Sequence, residues 1–338
     1  MIRICQFGAG RIGKIHAANL ALNDRAELAH VVDVNAAAAR ALAEKHGGRV
    51  SDAETALGDP AVDAVIIASS TDTHAALIEA ACRAGKAILC EKPIDLDIAR
   101  VDAVLKIVAA AGTTMAVGFN RRFDPDFAAL HAAIRDGAVG RIELVAITSR
   151  DPGPPPLDYI RGSGGLFRDM MIHDLDMARW LLGAEPVEVF AAASCLIDPA
   201  IGEAGDVDTA AVTLKTAEGA LCQISNSRRA VYGYDQRIEA FGAGGMLRAA
   251  NRTPTALERT DAGGTTTDKP LHFFLERYAE AYRAELDHFL DCLEAGTPPM
   301  VGPEDGRRAL ILADAAERSV QTGRAVRVSP EGPRRGMD

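Results

Sequence analysis

The chain has 338 residues, of which 48% are hydrophobic and 25% are charged, and its formal net charge at neutral pH is −10. This length favours two domains, each with its own buried core. The acidic balance, without a run of basic residues, argues against nucleic acid and anionic membranes as partners. No apolar stretch reaches the roughly 18 residues of a membrane span, and the N-terminus enters a strand at once, so we expect neither a span nor a signal peptide.

The six cysteines are scattered along the chain without a C-x-x-C pair. Several of them lie in apolar strand patterns, which is typical of reduced thiols in a cytoplasmic protein rather than of a disulfide framework. No spacing typical of a zinc site is present, so we expect no metal.

The chain opens with the apolar segment 2–7, which is followed by the glycine turn 8–13 and by an amphipathic stretch. A second apolar segment, 28–34, places Asp33 20 residues after Gly13. A strand, a G-x-G-x-x-G turn, a helix and an acidic residue at this distance predict a dinucleotide-binding βαβ unit. The alternative is a tight strand–helix turn that binds nothing. The predicted cofactor contacts of the turn are Gly8, Gly10, Arg11, Ile12 and Gly13.

The cofactor preference follows from the acidic residue. Asp33 would accept hydrogen bonds from the adenosine ribose hydroxyls and would repel a 2′-phosphate. The pattern therefore predicts NAD rather than NADP.

Strand and helix patterns alternate to about residue 120, after which strand patterns follow one another. In the first part we predict further strands at 63–68, 87–90 and 114–117, and helices at 12–22, 73–84, 96–111 and 126–136. In the second part we predict strands at 141–149, 185–194, 207–215, 220–227, 236–241 and 245–250, and helices at 166–182, 273–294 and 304–322.

This order predicts an α/β protein with two domains. Residues 1–120 form an NAD-binding Rossmann domain with a doubly wound parallel sheet. Residues 121–328 form an α+β domain with an open, largely antiparallel sheet and a last helix able to pack back on the first domain. The Pro-, Gly- and charge-rich tail 329–338 is expected to be disordered.

Three residues form a predicted acid–base triad. Lys92 follows the apolar run 87–90 in the tripeptide Glu-Lys-Pro at 91–93, and Asp169 and His173 stand four residues apart in a helical pattern. Residues at i and i+4 share a helix face, and imidazole suits removal of a hydroxyl proton near neutral pH. The alternatives are a buried histidine satisfied by a neighbouring aspartate and a solvated lysine at a strand end.

These motifs, together with the segment 118–123 and the Gly-Gly pair at 164–165, resemble the glucose–fructose oxidoreductase/inositol dehydrogenase/rhizopine catabolism family over nearly the whole chain. The stretches 120–125, 149–155, 167–174 and 232–235 are similar to its inositol dehydrogenase branch. The resemblance implies NAD-dependent oxidation of myo-inositol at its axial hydroxyl to the 2-keto product. It also implies that the domain 121–328 serves substrate binding and oligomerisation, and that a homo-oligomer, a dimer or a tetramer, forms through its sheet.

Two alternatives accompany this resemblance. One is a dehydrogenase of the same family that acts on another inositol isomer or on an aldose. The other, from a different class, is a non-catalytic NAD-binding regulator that responds to a sugar.

The resemblance also implies roles for individual residues. Carried over residue by residue, Lys92 contacts the reacting hydroxyl and the cofactor ribose, Asp169 binds the polyol, and His173 takes the proton. The turn that carries Ser70, Thr71 and His74 falls where members of the family line the cofactor.

Four candidates keep two interpretations each. Glu91 is a cofactor contact or a surface charge. Asp151 begins a stiff proline-rich segment after a strand, which is a solvated linker or a loop beside a polyol. Arg121 holds the domains together or contacts the substrate. Tyr234 hydrogen-bonds the substrate or fills the sheet.

Overall fold

The computed structural model describes residues 1–329 and contains two compact units. Unit 1 comprises Met1–Asn120 and Ala281–Leu310, and unit 2 comprises Arg121–Glu280 and the residues from Ile311 onward. The domain limits read from the sequence stay a prediction. The predicted disordered tail lies outside the described residues, except for Ser329.

Unit 1 is built on a six-stranded parallel sheet with the order β3-β2-β1-β4-β5-β6. This is the strand order of a Rossmann fold, in which the carboxyl ends of β1 and β4 meet at the point where the order reverses. The predicted doubly wound sheet is confirmed. Its strands are β1 (Ile2–Phe7), β2 (Ala26–Val32), β3 (Arg49–Val50), β4 (Ala64–Ile67), β5 (Ala87–Glu91) and β6 (Met115–Gly118).

Helices connect these strands and cover the sheet, because strands buried on both faces need apolar partners on each side. The core includes Ile4, Val31 and Ile66 from the strands, and Phe289 and Leu290 from a later helix. The helices between the strands are α1 (Arg11–Ala21), α2 (Ala36–His46), α3 (Ala53–Gly58), α4 (Thr71–Arg83) and α5 (Ile98–Ala111).

Unit 2 contains a seven-stranded sheet with the order β12-β11-β7-β10-β9-β8-β15. Only β7 and β10 are parallel neighbours, and the other pairs are antiparallel, so the predicted largely antiparallel sheet is confirmed. Its strands are β7 (Ile142–Arg150), β8 (Pro186–Ser194), β9 (Thr209–Thr216), β10 (Leu221–Ser227), β11 (Asp235–Gly242), β12 (Gly245–Ala249) and β15 (Val326–Arg327).

A short two-stranded hairpin extends from this unit and was not predicted. It pairs β13 (Glu258–Asp261) with β14 (Gly264–Thr267), and all of its residues are exposed. Its polar, threonine-rich strands bury no apolar side chain, so they carry no hydrophobic pattern from which a strand could be read.

The predicted helix over 166–182 is wrong as one continuous α-helix. A π-helical turn covers Leu166–Met170, and the α-helix begins at Ile172. The predicted helix over 273–294 is likewise two helices, which meet at Tyr278. The later helices are α6 (Pro125–Arg135), α7 (Leu157–Ser163), α8 (Ile172–Leu182), α9 (Pro199–Glu203), α10 (Phe274–Arg277), α11 (Ala279–Ala295) and α12 (Pro303–Thr322).

Within residues 1–329, none of the helices combines the length and the apolar character that a bilayer crossing requires.

Candidate active site

The site residues predicted from the sequence fall into both compact units, and each group is described by itself. Those in unit 1 are Gly8, Gly10, Arg11, Ile12, Gly13, Asp33, Ser70, Thr71, His74, Glu91 and Lys92. Those in unit 2 are Arg121, Asp151, Asp169, His173 and Tyr234.

The glycine turn of unit 1 runs from β1 into α1. Gly8 has φ +101°, and a Cβ at this position would overlap the backbone of Ala68 in the loop after β4. A Cβ at Gly13 would overlap the carbonyl of Gly8, so this glycine lets the helix approach the strand. A Cβ at Gly10 would meet no atom of residues 1–329 within 4 Å. Gly8 and Gly13 therefore serve close packing, and Gly10 leaves the start of the helix open.

Asp33 lies at the end of β2 and supports the glycine turn. Its Oδ2 accepts a hydrogen bond of 2.6 Å from the amide of Ala9, and its Oδ1 accepts one of 2.7 Å from the amide of Asn35. A carboxylate has about four acceptor positions, so these two bonds leave room for ribose hydroxyls. The structure thus adds a role in shaping the turn to the predicted role in cofactor choice.

The loop after β4 brings the second predicted group to the same edge of the sheet. Ser70 is the exposed residue that precedes α4, and Thr71 begins that helix. His74 is 1% exposed, and its ring nitrogens lie 2.8 Å from the carbonyl oxygen of Pro93 and 3.2 Å from that of Ser69. Burial lowers the pKa of His74 and favours the neutral ring, which has one N–H to donate. Donation along the shorter contact, to the carbonyl of Pro93, joins the first turn of α4 to the loop after β5.

The Glu-Lys-Pro tripeptide ends β5. Glu91 is 8% exposed, and its Oε1 lies 2.8 Å from Nε2 of the buried His16 on α1. The interpretation of Glu91 as a surface charge is therefore wrong. Lys92 is partly exposed, and its peptide bond to Pro93 is cis.

These features of unit 1 fit a dinucleotide. The N-cap residue of α1 is Gly10, which has no side chain to cap the helix, and the first turn of α1 contains no acidic residue. A helix start of this kind presents backbone N–H groups and a positive dipole end to a pyrophosphate. Gly8, Gly10 and Gly13 would hold the pyrophosphate side of NAD, and Asp33 would hold its ribose.

In unit 2, two charged residues follow the parallel strands β7 and β10. Arg150 is paired with Ser227, so Asp151 and Arg228 continue from neighbouring strand ends at one edge of the sheet. The amide of Asp151 donates a hydrogen bond of 2.9 Å to the carbonyl of Ser227. Desolvation is the largest cause that raises the pKa of Asp151 to about 7; the charge of Arg228 opposes it and that of Asp169 adds to it.

Asp169 lies in the π-helical turn and His173 in the first turn of α8. The amide of Met171 donates to the carbonyl of Leu166 at 2.8 Å, which is the wider i to i+5 spacing of a π-helix. Such turns occur often at functional sites because they redirect side chains within a helix.

Asp169 is held by groups from two other segments. Its Oδ1 accepts a hydrogen bond of 2.9 Å from the hydroxyl of Tyr159, and its Oδ2 lies 4.0 Å from the guanidinium of Arg228. Arg228 is 1% exposed and also donates to Asp206 at 3.3 Å. Unit 2 therefore brings Asp151, Asp169 and a buried arginine into one charged cluster.

Arg121 and Tyr234 are buried beneath this cluster. Arg121 is 5% exposed and pairs with Asp174 at 2.5 Å, directly after His173 in the chain. Tyr234 is 6% exposed, with its ring edge-on to that of Tyr278 at 5.9 Å. Each therefore has a packing role in the protein, and substrate contact by either stays a prediction.

Sequence reasoning missed Arg228 and Tyr159. Arg228 stands directly after the predicted strand 220–227, which is the same signal that indicated Asp151 after the preceding parallel strand. Tyr159 gave no comparable signal, because it lies in the short helix α7 within a proline- and glycine-rich stretch.

Comparison with known protein families agrees with these features. The family model described as an oxidoreductase family with an NAD-binding Rossmann fold matches residues 2–119, and that of the GFO/IDH/MocA C-terminal domain matches residues 127–248. The inositol 2-dehydrogenase of Rhizobium meliloti (strain 1021) is 52% identical over 329 residues, covering 97% of this chain and 99% of the relative. The chain belongs to the GFO/IDH/MocA oxidoreductase family.

Members of the GFO/IDH/MocA family with solved structures share the whole fold. The scyllo-inositol dehydrogenase of Lactobacillus casei, solved with NAD(H) and scyllo-inositol, is 29% identical with a TM-score of 0.90, covering 97% of this chain and 99% of that one. The myo-inositol dehydrogenase of Lactobacillus casei, solved with NAD(H) and myo-inositol, is 25% identical with a TM-score of 0.87, covering 97% of each chain. This chain is an oxidoreductase of that family and carries its NAD-binding Rossmann domain.

Proposed function

We propose that this protein catalyses the NAD-dependent oxidation of myo-inositol at its axial hydroxyl to the 2-keto product, as a step of inositol catabolism. The observation that carries the proposal is the 52% identity, over nearly the full length, to an inositol 2-dehydrogenase. The polar groups of unit 2 support it, since a cyclic polyol offers several hydroxyls to charged partners at once.

The roles of the residues follow the chemistry of alcohol oxidation. Bound NAD supplies the hydride acceptor. His173 accepts the proton of the reacting hydroxyl, and Asp169 accepts a hydrogen bond from a neighbouring hydroxyl. Lys92 donates a hydrogen bond to the reacting oxygen and to the cofactor ribose.

Other polar residues serve binding. In this proposal Asp151 accepts hydrogen bonds from the polyol, and Arg121 and Tyr234 are further candidates for substrate contact. Ser70, Thr71, His74 and Glu91 belong to the cofactor side, where the contacts of His74 with Ser69 and Pro93 support a positioning role.

The other candidate for the polyol substrate is scyllo-inositol. A scyllo-inositol 2-dehydrogenase of Bacillus subtilis (strain 168) is 35% identical to this chain, against 48% for a myo-inositol 2-dehydrogenase of Thermotoga maritima. A scyllo-inositol dehydrogenase of the same family is therefore the second candidate. Because a site built to hydrogen-bond an axial hydroxyl loses that bond with scyllo-inositol, the two substrates should differ strongly in kcat/KM.

The protein is also proposed to be a homo-oligomer, a dimer or a tetramer, that forms through the sheet of unit 2. One face of this sheet presents large apolar side chains to solvent: Phe241 is 44%, Met246 50% and Leu221 37% exposed. Phe241 is paired with both Met246 and Leu144, and Leu144 with Leu221, so the four residues form one continuous patch. We call these four residues the sheet patch.

The six cysteines of the protein are free thiols, which favours a reducing compartment such as the cytoplasm.

The direct test is NADH absorbance with a panel of polyols and sugars, compared with NADP as the cofactor. We expect the highest kcat/KM with NAD and myo-inositol. His173→Ala should lower kcat on the order of a hundredfold while the Kd for NAD stays unchanged, the size expected for losing a general base. His272→Ala, which changes an exposed histidine of the same unit, is the matched control. Higher kcat/KM with scyllo-inositol would favour the second candidate, and no turnover of any polyol would contradict both.

A further inference from the structure

Three titratable side chains from three separate elements meet in the interior of unit 1. His16 lies on α1, Glu91 ends β5 and Glu285 lies on α11, and all three are buried. One ligand-type atom from each lies within 4.8 Å of the others. Nε2 of His16 is 2.8 Å from Oε1 of Glu91. Both carboxyl oxygens of Glu285 are buried and form no hydrogen bond with any group of residues 1–329.

Ionising two buried carboxyl groups within 4.8 Å of each other costs much free energy, because neither charge is solvated and the two charges repel. Nε2 of His16 is a hydrogen-bond partner of Glu91, whereas the carboxyl group of Glu285 has no such partner among residues 1–329. Burial, reinforced by the charge of Glu91, raises the pKa of Glu285 well above its ordinary value. The titratable groups near the cluster include Tyr282, whose ring lies edge-on to that of His16 with centroids 5.8 Å apart, and Cys90 and His74, which interact with the charge of Glu91.

Glu91, a member of the cluster, is the residue directly before Lys92 in the chain. A Cβ at Gly118 on β6 would come within 2.8 Å of Oε2 of Glu91, so the carboxyl group is packed against the neighbouring strand. On the other side of Lys92, the carbonyl oxygen of Pro93 lies 2.8 Å from the ring of His74. Buried groups therefore hold the residues on both sides of Lys92 and limit where its own backbone can lie.

We propose that Glu285 is a protonated carboxylic acid and that the cluster of His16, Glu91 and Glu285 positions Lys92 for catalysis. A neutral Glu285 adds no second charge beside the carboxyl group of Glu91, which Nε2 of His16 contacts. The side chain of Glu91 then keeps its place against β6. Glu285 is thus a positioning residue that acts through Glu91. The inference rests on the proposed role of Lys92 in alcohol oxidation.

The protonation of Glu285 has a test that needs no substrate. A group whose pKa is raised in the folded state contributes stability that is fully present below its unfolded pKa, about 4.3, and is lost as the pH rises toward the folded value. Glu285→Gln keeps the shape and is neutral at every pH. The Tm of this variant minus that of the wild type should therefore increase steadily from pH 5 to pH 8. Glu294→Gln, an exposed acidic residue on the same helix, should show a constant difference.

The positioning role has a kinetic test. Glu285→Leu removes the polar group beside Glu91 and should lower kcat about tenfold or more, the cost of a small misplacement of a catalytic group, with the Kd for NAD changed less than about twofold. Glu285→Gln, which keeps the shape of the side chain and is neutral like the protonated acid, should retain most of kcat. If Glu285 acts through Lys92, the double variant with Lys92→Ala should be no slower than Lys92→Ala alone.

Three results would overturn the inference. The first is a Tm difference for Glu285→Gln that does not change with pH. The second is a loss of kcat in Glu285→Gln as large as in Glu285→Leu. The third is a stoichiometric divalent cation, found by elemental analysis of the purified protein, which would make the cluster a metal site. If wild-type protein turns over no polyol, the proposed function fails, while the Tm series still decides whether Glu285 is protonated.

Discussion

Asp151 shows how far one residue's chemistry depends on its surroundings. In the sequence it is an aspartate before a proline-rich segment, and its ordinary pKa is about 3.9. In the structure desolvation raises that pKa to about 7, even though Arg228 opposes the rise. A carboxyl group that titrates near neutral pH at the edge of the proposed polyol site would make substrate binding sensitive to pH.

We expect the ionisation of Asp151 to appear in the pH dependence of kcat/KM for myo-inositol. The carboxylate accepts hydrogen bonds from hydroxyls on all its lone pairs, so the ratio of wild-type kcat/KM to that of Asp151→Asn should rise with pH through about 7 and level off above it. The measurement is a pH–rate profile of both proteins from about pH 5.5 to 9. A ratio that is constant over this range would show that Asp151 does not titrate there.

The pH dependence of thermal stability gives an independent measure of the ionisation of Asp151. The folded-state pKa of Asp151 is above its ordinary value, so its contribution to stability is fully present below about pH 4 and is lost as pH rises through about 7. The Tm of Asp151→Asn relative to that of the wild type should therefore increase with pH up to about 7. This difference reports on the free enzyme without substrate.

The segment from α7 to α8 sets the position of two proposed catalytic residues. Gly164 ends α7 in the left-handed region, and Gly165, at φ +77°, precedes the π-helical turn. The amide of Leu166 donates to Oδ1 of Asp206 at 2.9 Å, which fixes the start of the turn. Two consecutive glycines are required here because two consecutive residues have positive φ.

Gly165→Ala should damage this segment in two ways. An alanine at φ +77° is strained, and its Cβ would come within 2.6 Å of Oδ1 of Asp206, which already accepts from Leu166. We expect the free energy of unfolding to fall by about 1–3 kcal/mol, measured by urea denaturation, with a clear loss of kcat.

Gly162→Ala is the matched control for this change. It lies in α7, and a Cβ there would meet no atom of residues 1–329 within 4 Å. Because alanine favours a helix, this variant should be as stable as the wild type or up to about 1 kcal/mol more stable. Equal effects of the two substitutions would mean that the backbone at Gly165 is not constrained as the structure indicates.

At the scale of the whole molecule, the sheet of unit 2 presents partly exposed apolar side chains that bear on the proposed oligomer. The sheet patch of Leu144, Leu221, Phe241 and Met246 is continuous across β12, β11, β7 and β10. A self-complementary patch on an open sheet suits a two-fold interface between copies of one chain.

Replacing Phe241 and Met246 with aspartate should break this interface. Burying carboxylates without partners against a second copy is costly, so the double variant should elute as a smaller species than the wild type. The measurement is size-exclusion chromatography with light scattering at matched concentrations. Leu22→Asp changes a residue of unit 1 that is 80% exposed and should leave the mass unchanged. A wild type that is already monomeric would contradict the proposal.

Local requirements made much of this protein predictable from its sequence. Cβ atoms at Gly8 and Gly13 would overlap backbone atoms, so the turn requires glycine at these positions. This requirement produces a glycine motif that can be recognised in the sequence. Buried parallel strands read as apolar runs, and helices carry their own periodicity, so the order of elements followed. The π-helical turn did not, because i to i+5 bonding leaves no distinct pattern in so short a stretch.

The sequence determined the fold class, the dinucleotide turn and the candidates Lys92, Asp169 and His173, because each depends on residues close together in the chain. Only the tertiary structure decided the surroundings of Asp151 and Glu91. Glu91 meets His16 across 75 residues of sequence, and Glu285 reaches the same cluster from a helix near the other end of the chain. Burial and charge act through space rather than along the chain, so a shifted pKa emerges only when distant elements are packed together.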